Sequence, residues 1–476
     1  MSATGLGNLA PGGKAARIAD EARAWRYGLV VQAGERRQLA LAWLWLAIGA
    51  LLASGVFSIL LVAARAPFLQ PLFRHAEFFR IALVVHVDLS VLVWFSSFAA
   101  VLWTIASRDR ALTIGWAALG LGGLGTVTIC LAPFLDPGSP IMSNYVPMID
   151  STLFIAGMLL FGLGFGLAAL RAMAVPERVG SRLEPEGALR FGLNAAAVAA
   201  VMALLALAAS AYALPPGLDA RTHYELLYWG AGHVGQFAWS LIMMVAWLWL
   251  ASLTGVRVPL SPRVVVVLFG IGLLAVFATP LIYLAWDVAS AEHQKLFTWQ
   301  MRFGGGLAIV PITLALAIGL LRAPAPLRAV APCRSALLAS VLLFACGGTI
   351  GFLIQGSDVR VPAHYHGAIV GITLALMGLT YALLPSFGFT RPLPRIAAWQ
   401  PWLYGGGQFL HIAGLVWSGG YGVPRKVAGT EQVLRTSGEV GGMALMGIGG
   451  LIAVAGGIAF ALVVLAQLRS VRGSHA

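Results

Sequence analysis

The chain has 476 residues, of which 59% are hydrophobic and only 10% charged, and its mean hydropathy is +0.86. Soluble domains carry about 25% charged residues, so this sequence cannot cover a water-facing surface and a soluble enzyme is excluded. The formal net charge of +13 does not point to nucleic acid, because so hydrophobic a chain places its Arg by membrane topology. Three Cys, Cys130, Cys333 and Cys346, give no disulfide framework.

Residues 1–38 form a polar tail with Lys14, Arg17, Arg23, Arg26, Arg36 and Arg37. The tail lacks a short apolar core followed by small residues, so it does not read as a signal peptide. A helix around 18–31, lying at a membrane surface, is expected there. Twelve apolar segments of spanning length then follow, each near the roughly 20 residues a membrane helix needs. They run over 39–64, 80–105, 112–134, 151–174, 191–214, 227–253, 264–286, 304–322, 334–355, 362–385, 399–421 and 441–467. Pro-marked joints at Pro137–Pro140, Pro215–Pro216, Pro259–Pro262, Pro324–Pro326 and Pro392–Pro394 separate several of them. The expected fold is an all-α, polytopic bundle of about twelve transmembrane helices over 39–468, with a short tail at 469–476.

Charge supports this topology. With the N-terminus inside, the inner segments hold 21 of the 31 Lys and Arg, and 7 of the 18 Asp and Glu. An even number of spans returns the C-terminus to the same side, beside Arg469 and Arg472, so both termini are expected to be cytoplasmic. The Gly-rich fourth and twelfth segments read as surfaces for close helix packing.

Ionisable residues inside a membrane are costly and mark function by default. Four of the nine His fall inside spans near an end. His86 and His233 lie about two turns from the outer ends of the second and sixth spans, and His364 and His366 just inside the outer end of the tenth. Topology therefore places all four at similar depth. Imidazole is the commonest metal ligand. Two residues along a helix is about 200° of rotation, so His364 and His366 point to opposite sides and suit two separate metal centres. His75, His223 and His293 are expected in outer loops, His411 mid-span in the eleventh segment suits packing as well as function, and His475 is tail.

Four stretches carry a family resemblance: "FRIALVVHVDLSVLVWF" at 79–95, "WGAGHVGQFAW" at 229–239, "VPAHYHGAIVGITLALMGLTYALLP" at 361–385 and "GGYGVPRKV" at 419–427. With them the chain resembles subunit I of the heme–copper oxidase superfamily, over essentially all twelve spans. The His86-to-His233 spacing is nearer the C-family oxidases and nitric oxide reductases. The resemblance implies two hemes of b type. His86 and His366 would be the axial ligands of a low-spin heme, and His364 the proximal ligand of a high-spin heme. His233 would be one ligand of a distal copper or non-heme iron, and Arg425 and Lys426 would pair with heme propionates. It also implies a bacterial inner-membrane protein beside a membrane-anchored subunit carrying a c-type heme or cupredoxin, or quinol, as electron donor.

The departures are equally specific. The family places an adjacent His pair in the seventh helix, but "AVFATPLIYLAWD" at 275–287 has none. One imidazole is too few to hold copper. Either His293 folds back, or the distal metal is bound differently, or it is absent. Tyr283 is a candidate catalytic residue near this pocket. The Glu that follows the sixth-helix His in nitric oxide reductases is missing, and Gln236 stands nearby instead. The only three Lys are Lys14, Lys295 and Lys426, none mid-membrane, and Asp88 is the clear intramembrane carboxylate, so no inner-side proton channel of acids or Lys is evident. The leading expectation is a respiratory heme oxidoreductase that reduces O2 or NO. The alternatives are a diheme protein without the distal copper site and, from another class, a twelve-helix transporter.

Overall fold

The computed structural model describes residues 25–69, 76–354, 356–428 and 431–468. His75, His475, the tail 469–476 and the expected N-terminal helix as far as residue 24 lie outside the described residues. Among the described residues, twelve long helices follow one another: α1 (Glu35–Arg65), α2 (Phe79–Ile105), α3 (Leu112–Leu135), α4 (Thr152–Ala174), α5 (Pro185–Ala213), α6 (Ala220–Leu253), α7 (Pro262–Ala285), α8 (Ala291–Arg322), α9 (Arg328–Phe352), α10 (Arg360–Phe387), α11 (Ile396–Gly419) and α12 (Ser437–Gln467). The fold is a polytopic all-α membrane bundle, as the hydropathy pattern predicts. Among the described residues one small sheet pairs β1 (Pro140–Ile141) with β2 (Met148–Ile149) in the α3–α4 connection.

Eleven of the helices are long and apolar enough to cross a membrane, and α11 is the exception. Gln400, Gln408 and His411 dilute its apolar character. Neighbouring helices satisfy the buried Gln400. Its carbonyl accepts from the Tyr381 hydroxyl of α10 at 2.9 Å, and its amide donates to the Gly456 carbonyl of α12 at 3.2 Å. A polar residue inside a bundle is tolerated when its partners come from adjacent helices. At Gly407, Gly414 and Gly449 a Cβ would collide with backbone across the α11–α12 interface, so glycine permits that close approach.

Two boundaries differ from expectation for local reasons. Residues 25–32 are not helical. Tyr27 is buried, its N–H donates to Ser252 Oγ at 2.8 Å and its hydroxyl to the Leu260 carbonyl at 2.8 Å, which ties the segment against the end of α6. The eighth helix begins at Ala291, well before residue 304, because the Ser290 side chain caps it by accepting from the His293 N–H at 3.2 Å. That extension, and the early start of α6, move His293 and His223 from loops into helices.

The two most enclosed helices are α6 and α10, with 78% and 83% of their apolar windows buried. They form the centre of the bundle, and they carry His233 and the His364/His366 pair.

Candidate functional site

One cavity of about 2100 Å³ runs through the bundle, and His86, His233, His364, His366 and His411 all line it. Ordinary small-molecule pockets reach about 1,000 Å³, so this space suits more than one large planar group.

Each of these five imidazoles is oriented by an oxygen at Nδ1. His86 Nδ1 lies 2.9 Å from Ser54 Oγ and 3.0 Å from the Ser54 carbonyl of α1. His366 Nδ1 lies 2.8 Å from the Pro362 carbonyl one turn back. His364 Nδ1 lies 2.7 Å from the Gly347 carbonyl of α9. His233 Nδ1 lies 2.7 Å from the Trp229 carbonyl. A carbonyl only accepts, so each Nδ1 carries the proton and each Nε2 keeps its lone pair. Metal-ligating imidazoles are held in just this way, through the N–H that the metal does not use. For His86, His364 and His366, no hydrogen bond among the described residues engages Nε2.

The pair on α10 does diverge. His364 turns to α9, where a Cβ on Gly351 would collide with its ring. His366 turns the other way, with its ring centroid 4.9 Å from that of His411 on α11. His86 precedes a π-helical turn at Asp88–Val93 that locally widens α2. Such turns are frequent at functional sites. Asp88 is 1% exposed, lines the cavity, and its Oδ2 has no hydrogen-bond partner among the described residues.

The distal side differs. His233 Nε2 is engaged by the Tyr145 hydroxyl at 2.9 Å, and Gln236 Nε2 lies 3.4 Å from the same hydroxyl. Burial raises the Tyr145 phenol far above its ordinary value, and Glu225 adds to the rise, so it stays neutral and keeps its proton. His293 does not complete the site. It is fully buried against Tyr283 and Phe297, with ring centroids 4.9 Å away in each case, and it is not in the cavity lining. The expectation of an outer-loop His is thus corrected, and among the described residues no second imidazole joins His233 in the cavity lining. Tyr283 likewise points away from the cavity. Its hydroxyl donates to the Ala206 carbonyl at 2.9 Å and lies 2.7 Å from Ser210 Oγ, both on α5. Among the described residues no group of three or more His, Cys, Asp or Glu is placed to hold a metal ion.

Lys426 and Arg425 both line the cavity. Lys426 Nζ donates to the carbonyls of Met142 at 2.7 Å and Ser143 at 3.2 Å, and to Asn144 Oδ1 at 3.2 Å. Arg425 Nε donates to Ser357 Oγ at 3.1 Å. Arg65, at the end of α1, is a third cation in the lining, with Nε donating to Gln432 Oε1 at 3.1 Å. Sequence reasoning passed over Arg65, Ser54 and Tyr145. The first shows as a charge ending an apolar run, whereas the other two carry no signal in one sequence.

Residues 38–458 match the family described as cytochrome c and quinol oxidase polypeptide I. The chain belongs to that family, the heme–copper oxidase subunit I family. It is 28% identical to an uncharacterized protein of Rickettsia prowazekii (strain Madrid E), covering 89% of this chain and 94% of that one. It is 29% identical to an uncharacterized protein of Aquifex aeolicus (strain VF5), covering 75% and 88%. Among solved structures, a heme–copper terminal oxidase dimer determined by cryo-EM matches with a TM-score of 0.70 at 16% identity, over 92% of this chain and 84% of that one. At that identity the match establishes the fold. The family is one of membrane oxidoreductases that carry hemes and work with other subunits, so the carrier alternative falls away. For the hemes, the donor set fits: three cavity-facing imidazoles in the ligating tautomer, two of them on opposite sides of one helix. For a distal copper it does not fit, because a single imidazole with its lone pair already engaged is a poor copper site.

Proposed function

We propose that this chain is the core of a membrane respiratory oxidoreductase in which His86 and His366 would together hold a low-spin heme and His364 would hold a high-spin heme on the other side of α10. The observation that carries this reading is the shared state of the three imidazoles: Nδ1–H bound to an oxygen, Nε2 free, all on one cavity. When bound, the hemes, of b type on this reading, supply electron transfer and one iron left open to a small gas such as O2 or NO.

The chain's own contribution is orientation and enclosure. Ser54, Pro362 and Gly347 fix the three ring planes. The cavity's apolar lining keeps bulk water from the buried groups, and Arg65 and Arg425 offer cations to propionates. A heme held by His86 and His366 would receive electrons from a membrane-anchored subunit bearing a c-type heme or a cupredoxin, or from quinol. On this reading both termini face the cytoplasm of a bacterial cell, which the distribution of Lys and Arg supports.

The test is the spectrum of the purified protein. Two hemes per chain are expected by pyridine hemochrome and reduced-minus-oxidised difference spectra. His364→Ala should remove carbon monoxide binding while leaving the low-spin band. His366→Ala should remove the low-spin band. A preparation that carries no heme after expression with ample heme supply would overturn the reading.

A further inference from the structure

The residue that meets His233 comes from outside the helices. Tyr145 sits in the connection between α3 and α4, 88 positions from its partner. Three contacts hold it there. The β1–β2 pairing closes the hairpin over 140–149. The Asn144 N–H donates to Glu225 Oε2 of α6 at 2.9 Å, and the Asn144 side-chain amide donates to Glu225 Oε1. Lys426, in the left-handed region with φ 62°, reaches in from the α11–α12 connection to bind the carbonyls of Met142 and Ser143. The Tyr145 ring then lies over Gly232, where any Cβ would fall inside it, and its centroid is 4.7 Å from the His233 ring.

The direction of the hydrogen bonds follows from the acceptors. The Trp229 carbonyl takes the His233 Nδ1–H, so His233 Nε2 accepts, and the Tyr145 O–H donates to it. Gln236 N–H donates to the Tyr145 oxygen in turn. The lone pair that a distal metal would need is therefore used within the chain.

We propose that Tyr145, His233 and Gln236 form a metal-free distal pocket, in which a small diatomic gas meets one hydrogen-bond donor, the second N–H of the Gln236 amide that the Tyr145 oxygen orients, where the family has a second metal. This rests on the heme reading above and deepens it. Polar donors favour a gas that becomes a hydrogen-bond acceptor when bound to iron, as O2 does, over carbon monoxide, which stays weakly polar. Tyr145 is thus a positioning residue, which sets ligand specificity by orienting the Gln236 amide.

The experiment uses the heme-loaded full chain, purified in detergent, as wild type and as Tyr145→Phe. Phenylalanine keeps the ring over Gly232 and removes only the hydroxyl. Metal analysis should give iron without stoichiometric copper or additional non-heme iron. Dissociation of O2, or of NO if O2 turns over, should be about five- to tenfold faster in the variant, the size of one lost hydrogen bond. Carbon monoxide dissociation should change less than about twofold, on the same hydrogen-bond argument. Two hemes together with one copper or non-heme iron per chain, lost in His233→Ala, would overturn this inference and leave the heme reading intact. Equal effects of Tyr145→Phe on both gases, or none on either, would also overturn it. Absence of heme would overturn both.

Discussion

His366 and His411 lie side by side in the cavity, on adjacent helices, with ring centroids 4.9 Å apart and each Nδ1 held by a backbone carbonyl, Pro362 for the first and Met446 for the second. Either imidazole would be a candidate to hold a heme iron together with His86. We assign the ligand to His366, because its place on α10 sets it opposite His364. His411→Ala should therefore retain the low-spin band in the reduced-minus-oxidised spectrum, with a displaced maximum at most. His86→Ala and His366→Ala should each lose it. Loss of the band in His411→Ala with retention in His366→Ala would reverse the assignment.

Ser54 offers a graded test of how His86 is held. Its hydroxyl is 2.9 Å from His86 Nδ1, and its own carbonyl is 3.0 Å from the same atom. Ser54→Ala removes the first partner and leaves the second. Groups that orient a metal-bound His usually contribute 10- to 100-fold in metal affinity. With the carbonyl still in place, the expected increase in the rate of heme loss to apomyoglobin is at the lower end, about tenfold. A rate unchanged from wild type would show that the carbonyl alone fixes the ring.

The contrast between these two residues and the α10 pair explains what one sequence reveals. Hydropathy and the Lys/Arg distribution carry the helix order, because burying apolar surface in lipid leaves little freedom in where helices begin and end. The depth of His86, His233, His364 and His366 follows from that order, and the divergence of His364 and His366 follows from helical pitch. Tyr145 is different. Its meeting with His233 depends on how an outer hairpin folds over α6, and no local pattern records that. His293 is hidden for a related reason: only the Ser290 cap, seen in three dimensions, extends α8 and buries it. The helix expected around 18–31 does not reach residues 25–32, where the two long-range hydrogen bonds of Tyr27 hold the segment against the end of α6.

Gly232 is where the hairpin and α6 come closest. A Cβ there would fall within the Tyr145 ring, so Gly232→Ala must displace the tyrosine. Overpacking of this kind costs about 1–3 kcal/mol. The variant should therefore unfold at a lower temperature, and its O2 or NO dissociation should be at least as fast as that of Tyr145→Phe. Tyr145→Phe/Gly232→Ala should release the gas no faster than Gly232→Ala alone, because the same hydroxyl is lost in both. Additive rates in the double variant would place Gly232 in a separate role.

Lys426 distinguishes two roles that one cation cannot hold equally. Burial lowers its pKa to about 8, Arg425 adds to the lowering, and Glu225 opposes it. In an unfolded chain a Lys titrates near 10.5. Between about pH 8 and that value the unfolded chain binds a proton that the folded chain does not, so folding stability rises with pH across this window through Lys426. Lys426→Met removes the group from both states. The difference in thermal midpoint, wild type minus variant, should then climb from pH 8 toward pH 10 as the neutral amine keeps its bonds to Met142 and Ser143 without the charge penalty. A propionate docked on Lys426 would hold it charged, move its pKa back toward the unfolded value and flatten the climb. A rising difference in the heme-loaded protein therefore identifies Lys426 as the clamp of the Tyr145 hairpin, and a flat one as the partner of a carboxylate.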